Sequence, residues 1–326
     1  MTTTQSFTDI DLRTAVAAAV RAPSLHNSQP WRFRLRAGGI EVRIDPSRRL
    51  PASDPDGWAA RIACGAAVFN LRLALAVAGT PAQVRLRPYP TEPDLLARLV
   101  PAQPRPATPT EQQLYDAIPR RHSNRAPFFP NPVPTDGRWA MVEAARAENA
   151  WLELVIGAGP VAAVAEIVQE ANRALQRSPD YRAELARWIR REPAPDGVPS
   201  SAAGPVGEPH DLLPQRPFGD RSRAPGRDFE AEPLVAVLGS AGNTVSDQVT
   251  AGQALQRVLL TATDKGLAAS MYSQPIEVPS AREQLRLALG RFGAPQMVIR
   301  IGYGQPGWPT PRRDIDEVVD DEVEEA

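Results

Sequence analysis

Residues 22–33 run APSLHNSQPWRF, and the reading of the whole chain turns on this stretch. It follows DIDLRTAVAAAVR at 9–21, whose apolar spacing and early Asp9 and Asp11 predict a helix. Pro23 stops that helix, because its ring disfavours helical backbone at the preceding residue. Ser24, Asn27 and Gln29 then place short hydroxyl and amide groups in a turn, where they can bond the backbone or the polar edge of a heteroaromatic ring. Trp31 returns the chain to the interior. Residues 31–35 and 40–44 alternate around Ala37-Gly38-Gly39, which predicts a hairpin. A lone Pro-Ser-x-x-Asn is most simply a helix-stopping loop before a buried tryptophan, so the rest of the chain must decide whether this one does more.

Beyond the hairpin, residues 58–78 are apolar nearly all round and predict a buried core helix ending at Gly79, followed by a short strand at 84–87. The proline-rich stretch PAQPRPATPT at 101–110 marks a boundary, dividing the chain into 1–105 and 106–326. A second cycle begins there: a short helix at 111–118, the cluster RRHSNR at 120–125, a helix at 136–148 and a strand at 151–156. Helices at 160–177 and 180–191 come next. Residues 192–228 are rich in Pro, Gly and Arg without sustained period, and are too long for a simple connection, so they are expected to form a lid-like insertion or to lack order. A strand at 234–238, helices at 247–265 and 281–289 and a strand at 296–301 complete the pattern, and the acidic tail after Asp314 is expected to fray. Two cycles of helix, turn, strand and helix suggest a degenerate internal duplication.

Composition narrows the function classes. A formal net charge of −1 and no evident basic groove give no reason to expect a nucleic-acid partner. Lys265 is the only lysine, so a bound phosphate or carboxylate would be gripped by guanidinium forks. The single Cys64 cannot form an intrachain disulfide, which fits a reducing compartment, the cytoplasm. Ala15 to Val20 is too short for a signal peptide, and no uninterrupted apolar stretch approaches the roughly 20 residues that span a bilayer. VIGAGPVAAVAEI at 155–167 imitates a dinucleotide-binding turn, but a helical, arginine-rich stretch follows where a second strand with a terminal acid would be required. His26, His122 and His210 are scattered, without Cys or spaced carboxylate companions, and predict no metal site.

The run APS-x-x-N-x-QPW resembles the ring-contacting loop of the FMN-dependent nitroreductase family, and RRHSNR resembles that family's Arg-x-Ser-x-Arg/Lys phosphate cluster. QPIEVP at 274–279 is similar to its Pro-Ile-Glu-Gly segment, with Val278 in place of the usual glycine, and TPRR at 310–313 to its late basic contacts. The arrangement resembles the Acg-type branch. The resemblance implies an α+β, nitroreductase-like fold in which two degenerate halves form an intrachain pseudo-dimer. It implies one FMN per chain, framed by Pro23, Ser24, Leu25 and Asn27 on one edge and by Gln274, Pro275 and backbone N–H groups near Glu277 and Val278 on the other. Arg121, His122, Ser123 and Arg125 would cradle the phosphate, with Arg312 and Arg313 closing it. No side chain need be catalytic, because the flavin carries the chemistry.

The order of these motifs carries a further implication. Family members are homodimers whose basic cluster opens the subunit and whose APS loop follows, each site drawing on both subunits. Here TTTQSFTDIDLR at 2–13 has no basic cluster, and EAARAENAWLEL at 143–154 stands where a second APS loop would fall. One complete site is therefore expected, from opposite halves of a monomer. The resemblance implies NAD(P)H as donor and a small electron-poor acceptor, a nitroarene or quinone, in a ping-pong cycle. The alternative is a flavin-sequestering protein with residues 192–228 folded over the ring.

Overall fold

The computed structural model describes residues 6–320 apart from 209–210, 225, 227 and 231, so His210 and the last six residues of the acidic tail lie outside it. The first part of the chain forms α1 (Asp9–Ala19), β1 (Trp31–Arg36), β2 (Gly39–Ile44), α2 (Trp58–Val77), β3 (Ala82–Leu86) and β4 (Leu95–Pro101). There follow α3 (Pro109–Ala117), α4 (Thr135–Arg146), β5 (Trp151–Val155), α5 (Ala158–Arg177), α6 (Pro179–Arg187) and the short pair β6 (Ile189–Arg190) and β7 (Val198–Pro199). The chain ends with β8 (Leu234–Ser240), α7 (Val245–Asp264), β9 (Ala268–Tyr272), α8 (Gln274–Glu277), α9 (Pro279–Ala288), β10 (Ala294–Gly302), α10 (Ile315–Val318) and β11 (Val319–Asp320).

The architecture is α+β. One antiparallel sheet has the order β1-β2-β4-β3 and the other β5-β8-β10-β9, so the two repeat a single topology, α-β-β-α-β-β, with insertions. Each places its long helix against the other's. At the crossing, a Cβ on Gly65 would lie 2.2 Å from the Val249 carbonyl oxygen, and one on Gly252 would lie 2.2 Å from that of Ile62. Only glycine permits backbones this close. The exchange extends into the cores: Trp58, Ala59 and Ile62 of α2 pack in the cluster beneath β5-β8-β10-β9, while Val249 and Leu260 of α7 pack in the cluster beneath β1-β2-β4-β3.

Two expectations are corrected and a third is narrowed. Helix α2 does reach the length and apolarity of a membrane span, but most of it is buried by the protein's own cores, which accounts for its composition. The acidic tail does not fray throughout: β11 adds a parallel strand beside β1, and Arg13 and Arg32 hold Asp316 and Asp320 at 2.5 Å. Within residues 192–228, the described part is packed, with Val198, Ala202, Ala203 and Phe218 sharing a small core with Leu175, Tyr181 and Leu185. The glycine-rich turn after β5 opens α5, but β5 is an antiparallel edge strand, which a dinucleotide fold would not use there.

Candidate functional site

The loop between α1 and β1 is built under strain. His26, Asn27 and Gln29 all have left-handed φ, at 55°, 56° and 54°. Each costs an L-residue about 1 kcal/mol, so the loop persists only because its surroundings hold it. Ser24 Oγ accepts from the Gln29 N–H at 3.0 Å, and Gln29 Nε2 donates to the Pro195 carbonyl at 2.8 Å. Asn27 Nδ2 donates to the carbonyls of Gly197 at 2.9 Å and Pro311 at 3.0 Å. The clasp therefore comes from the 192–228 segment and the approach to α10.

At the start of this loop, Arg121 Nη2 donates to the Arg21 carbonyl at 3.1 Å, and Arg312 Nη2 reaches the carbonyls of Arg21 and Ala22 at 3.4 Å. Arg312 Nη1 also donates to Asn27 Oδ1 at 3.0 Å, tying the cluster to the strained loop. Among the described residues no carboxylate pairs with Arg21, Arg121 or Arg312, and the buried Nε atoms of Arg121 and Arg312 have no partner. Burial pushes Arg121 down to about 10; burial, then Arg121 and Arg21, push Arg312 down to about 9. His122 falls to about 4 through burial and the three guanidiniums. Arginines remain charged at such values, so the nest is a concentration of buried positive charge that calls for an anion.

Beside it opens a cleft. Trp58, Ile62, Leu255, Met271 and Met297 make its apolar walls, and Pro23, Ser24, Leu25, His26, Ser273 and Gln274 its more polar rim. The buried Oε1 of Gln274 has no partner. Arg216 and Phe218 reach in from the 192–228 segment. Arg216 binds Tyr181 Oη, Ser273 Oγ and Glu277 Oε1, and Phe218 lies edge-on to His26 at 5.8 Å.

The expected site residues therefore divide. Pro23, Ser24, Leu25 and Gln274 line the cleft; Arg121, His122 and Arg312 form the nest; Asn27 joins the two; and Pro275 is buried in α8. Ser123 pairs with Ala269 in an isolated bridge between them. Arg125 is not in the nest. Asn124 Oδ1 accepts from the Ala126 N–H at 3.0 Å, a turn that re-aims the chain, and Arg125 lies over Phe218 at 4.8 Å, pushed down to about 10 by burial and Arg216. Arg313 is engaged elsewhere, with Asp45 at 3.4 Å and Glu317 at 3.6 Å. The N–H groups of Glu277 and Val278, expected to face a ring, donate to the Ser273 and Gln274 carbonyls at 3.1 and 3.3 Å because the segment folds into α8. Sequence reasoning missed Arg21, His26, Trp58, Arg216 and Phe218. The available signal was Phe218, the one aromatic residue in 192–228.

The donor set suits a flavin mononucleotide: apolar walls with a more polar rim for the ring, and an uncompensated cationic nest for a phosphate.

No family model matches the chain. It is 33% identical over 318 residues to the protein provisionally named NAD(P)H nitroreductase Rv3131 of Mycobacterium tuberculosis, covering 95% of this chain and 91% of that one. It is 32% identical over 333 residues to the provisionally named NAD(P)H nitroreductase acg of the same organism, covering 98% and 97%. The crystal structure of the FMN-dependent nitroreductase NfnB from Mycobacterium smegmatis, in complex with NADPH, aligns at a TM-score of 0.41 and 21% identity, covering 63% of this chain and 96% of that chain.

Proposed function

The chain belongs to the nitroreductase family, in its Acg-type branch, and from that premise we propose that it is an FMN-dependent NAD(P)H oxidoreductase with one cofactor site, complete in a monomer of the reducing cytoplasm. The observation that carries this reading is the pair Arg121 and Arg312, with exposed Arg21 beside them and no described carboxylate paired with any of the three, next to an apolar cleft. Bound FMN would supply two-electron chemistry, passing a hydride equivalent from NAD(P)H to a small electron-poor acceptor of the nitroarene or quinone class. The chain's own contribution is binding and electrostatics. Arg121 and Arg312 hold the phosphate; Pro23, Ser24, Leu25 and Gln274 frame the ring; and the Arg125 charge in the cleft favours negative charge developing there. The two repeats act as the two subunits of a fused dimer, with residues 1–105 supplying the loop and 106–326 the cationic cluster.

A second reading is favoured by one observation: Arg216 and Phe218 stand inside the cleft, so the same site could store flavin and shut out substrates. Anaerobic stopped-flow mixing of the FMN-loaded protein with NADPH separates the two. Bleaching within seconds supports the oxidoreductase. No bleaching, even after residues 195–218 are replaced by a short linker, would leave storage as the function.

A further inference from the structure

Reducing a quinone-class acceptor to a hydroquinone adds one hydride and one proton, and the 192–228 segment lies against the cleft. Pro195, Gly197 and Ala202 are bound by Gln29, Asn27 and Arg125, and Arg216 and Phe218 are among the cleft's lining residues. Trp58 also lines a second groove, together with Ser53, Asp54, Asp56 and Glu277 among others. Among the hydrogen bonds that link the linings of the two, His26 Nε2 to Ser53 Oγ, at 3.3 Å, joins an imidazole to a hydroxyl. His26 is 3% exposed, and its other nitrogen, Nδ1, is buried without a partner. Ser53 is held in place by its N–H, which donates to Glu184 Oε1 at 2.9 Å.

We propose that His26 and Ser53 relay protons from this groove into the cleft, an inference that rests on the oxidoreductase reading above. Burial, with Arg216 and Arg125 facing the ring, keeps the imidazole neutral, so the relay works through tautomers. Nδ1–H gives its proton to the acceptor oxygen as the carbon framework receives the hydride that NAD(P)H supplied. Nε2 takes the Ser53 hydroxyl proton, and Ser53 is reprotonated from the groove. One proton crosses and no net charge is left on the imidazole, which ends as the Nε2–H tautomer and regains Nδ1–H by proton exchange with water between turnovers.

Asp54, next to Ser53 in the groove, suits the mouth of such a path. It accepts from the Ala59 and Ala60 N–H groups at 2.9 and 3.0 Å. Burial raises its carboxyl to about 6; those N–H groups and Arg61 oppose the rise, and Glu277 adds to it. Its protonated fraction therefore falls as pH rises through about 6, and proton delivery should fall with it.

The test uses FMN-loaded protein in dilute buffer with a pH-indicator dye, mixed with NADPH and a soluble quinone, so that flavin reduction and proton uptake are followed together. Ser53→Ala is preferred to a His26 variant because position 26 is left-handed, at φ 55°. The ratio of proton-uptake rate to flavin-reduction rate should fall roughly 10-fold or more in Ser53→Ala, recover in Ser53→Thr, and lose its inflection near pH 6 in Asp54→Asn. A wild-type ratio in Ser53→Ala protein that still holds FMN overturns the relay and leaves the cofactor reading standing. Wild-type protein that takes up no FMN overturns both.

Discussion

The connection from α1 to β1 and the one from α4 to β5 sit at equivalent places in sheets of the same order, yet they have become opposites. The first spans residues 20–30, holds three left-handed non-glycine residues, and adjoins arginines without a described counterion. The second spans residues 147–150 and has one left-handed residue, Asn149 at φ 55°. Its Glu148, in the place that Arg21 holds after α1, is buried and takes Arg72 at 2.6 Å and Arg257 at 2.9 Å. One connection keeps strain and unmatched charge, which a ligand can repay. The other has neutralised its charge internally and serves only the fold.

The contrast can be broken most severely at the nest. Charge-assisted hydrogen bonds contribute about 1.5–3 kcal/mol each, so replacing both Arg121 and Arg312 by Ala should weaken FMN binding by roughly 10²–10⁴-fold in a fluorescence titration. Riboflavin, which lacks the phosphate, should lose far less. An equal loss for both ligands would place the phosphate elsewhere.

At the second connection the expected effect is on stability alone. Glu148→Ala leaves Arg72 and Arg257 partly buried without their carboxylate and should cost about 3–5 kcal/mol in denaturant unfolding, with flavin content per folded chain unchanged. A variant that instead loses flavin would mean that the second connection still supports the site.

The glycine crossing tests the symmetry on which the comparison depends. Gly65→Ala and Gly252→Ala should each destabilise by about 1–3 kcal/mol, because each methyl meets the opposite backbone. Similar costs are expected from both sides. One tolerated substitution would show that the contact is not reciprocal. The smallest effect belongs to Asn149→Ala, about 1 kcal/mol of left-handed strain, measurable as a lowered Tm that Asn149→Gly should avoid.

Much of this was legible where local pattern and tertiary role agree. The alternation of WRFRLR and GIEVRI gave away the β1–β2 hairpin, and the apolar length of α2 gave away a core helix. β4 was hidden because LLARLVP runs straight into the proline-rich connector, and β9 because AASMY lacks the β-branched residues that mark strands. β11 is two residues in an acidic run, and Arg13 and Arg32, far away in sequence, help that run pack. In the site, the family resemblance of RRHSNR joined Arg121 to Arg125, but the turn at Asn124 sends them to different places. Arg313 beside Arg312 looked equally available until the fold brought Asp45 to it. The 192–228 segment offered no period to read, since its order comes from contacts such as Arg216 with Glu277 and Tyr181.

The most direct measurement is the amount of FMN bound per chain by protein shown to be monomeric by sedimentation. The unequal connections predict a ratio close to one, with saturating FMN adding no second equivalent. A ratio near two would show that the Glu148 side also binds, and a monomer that takes up none would contradict the site itself.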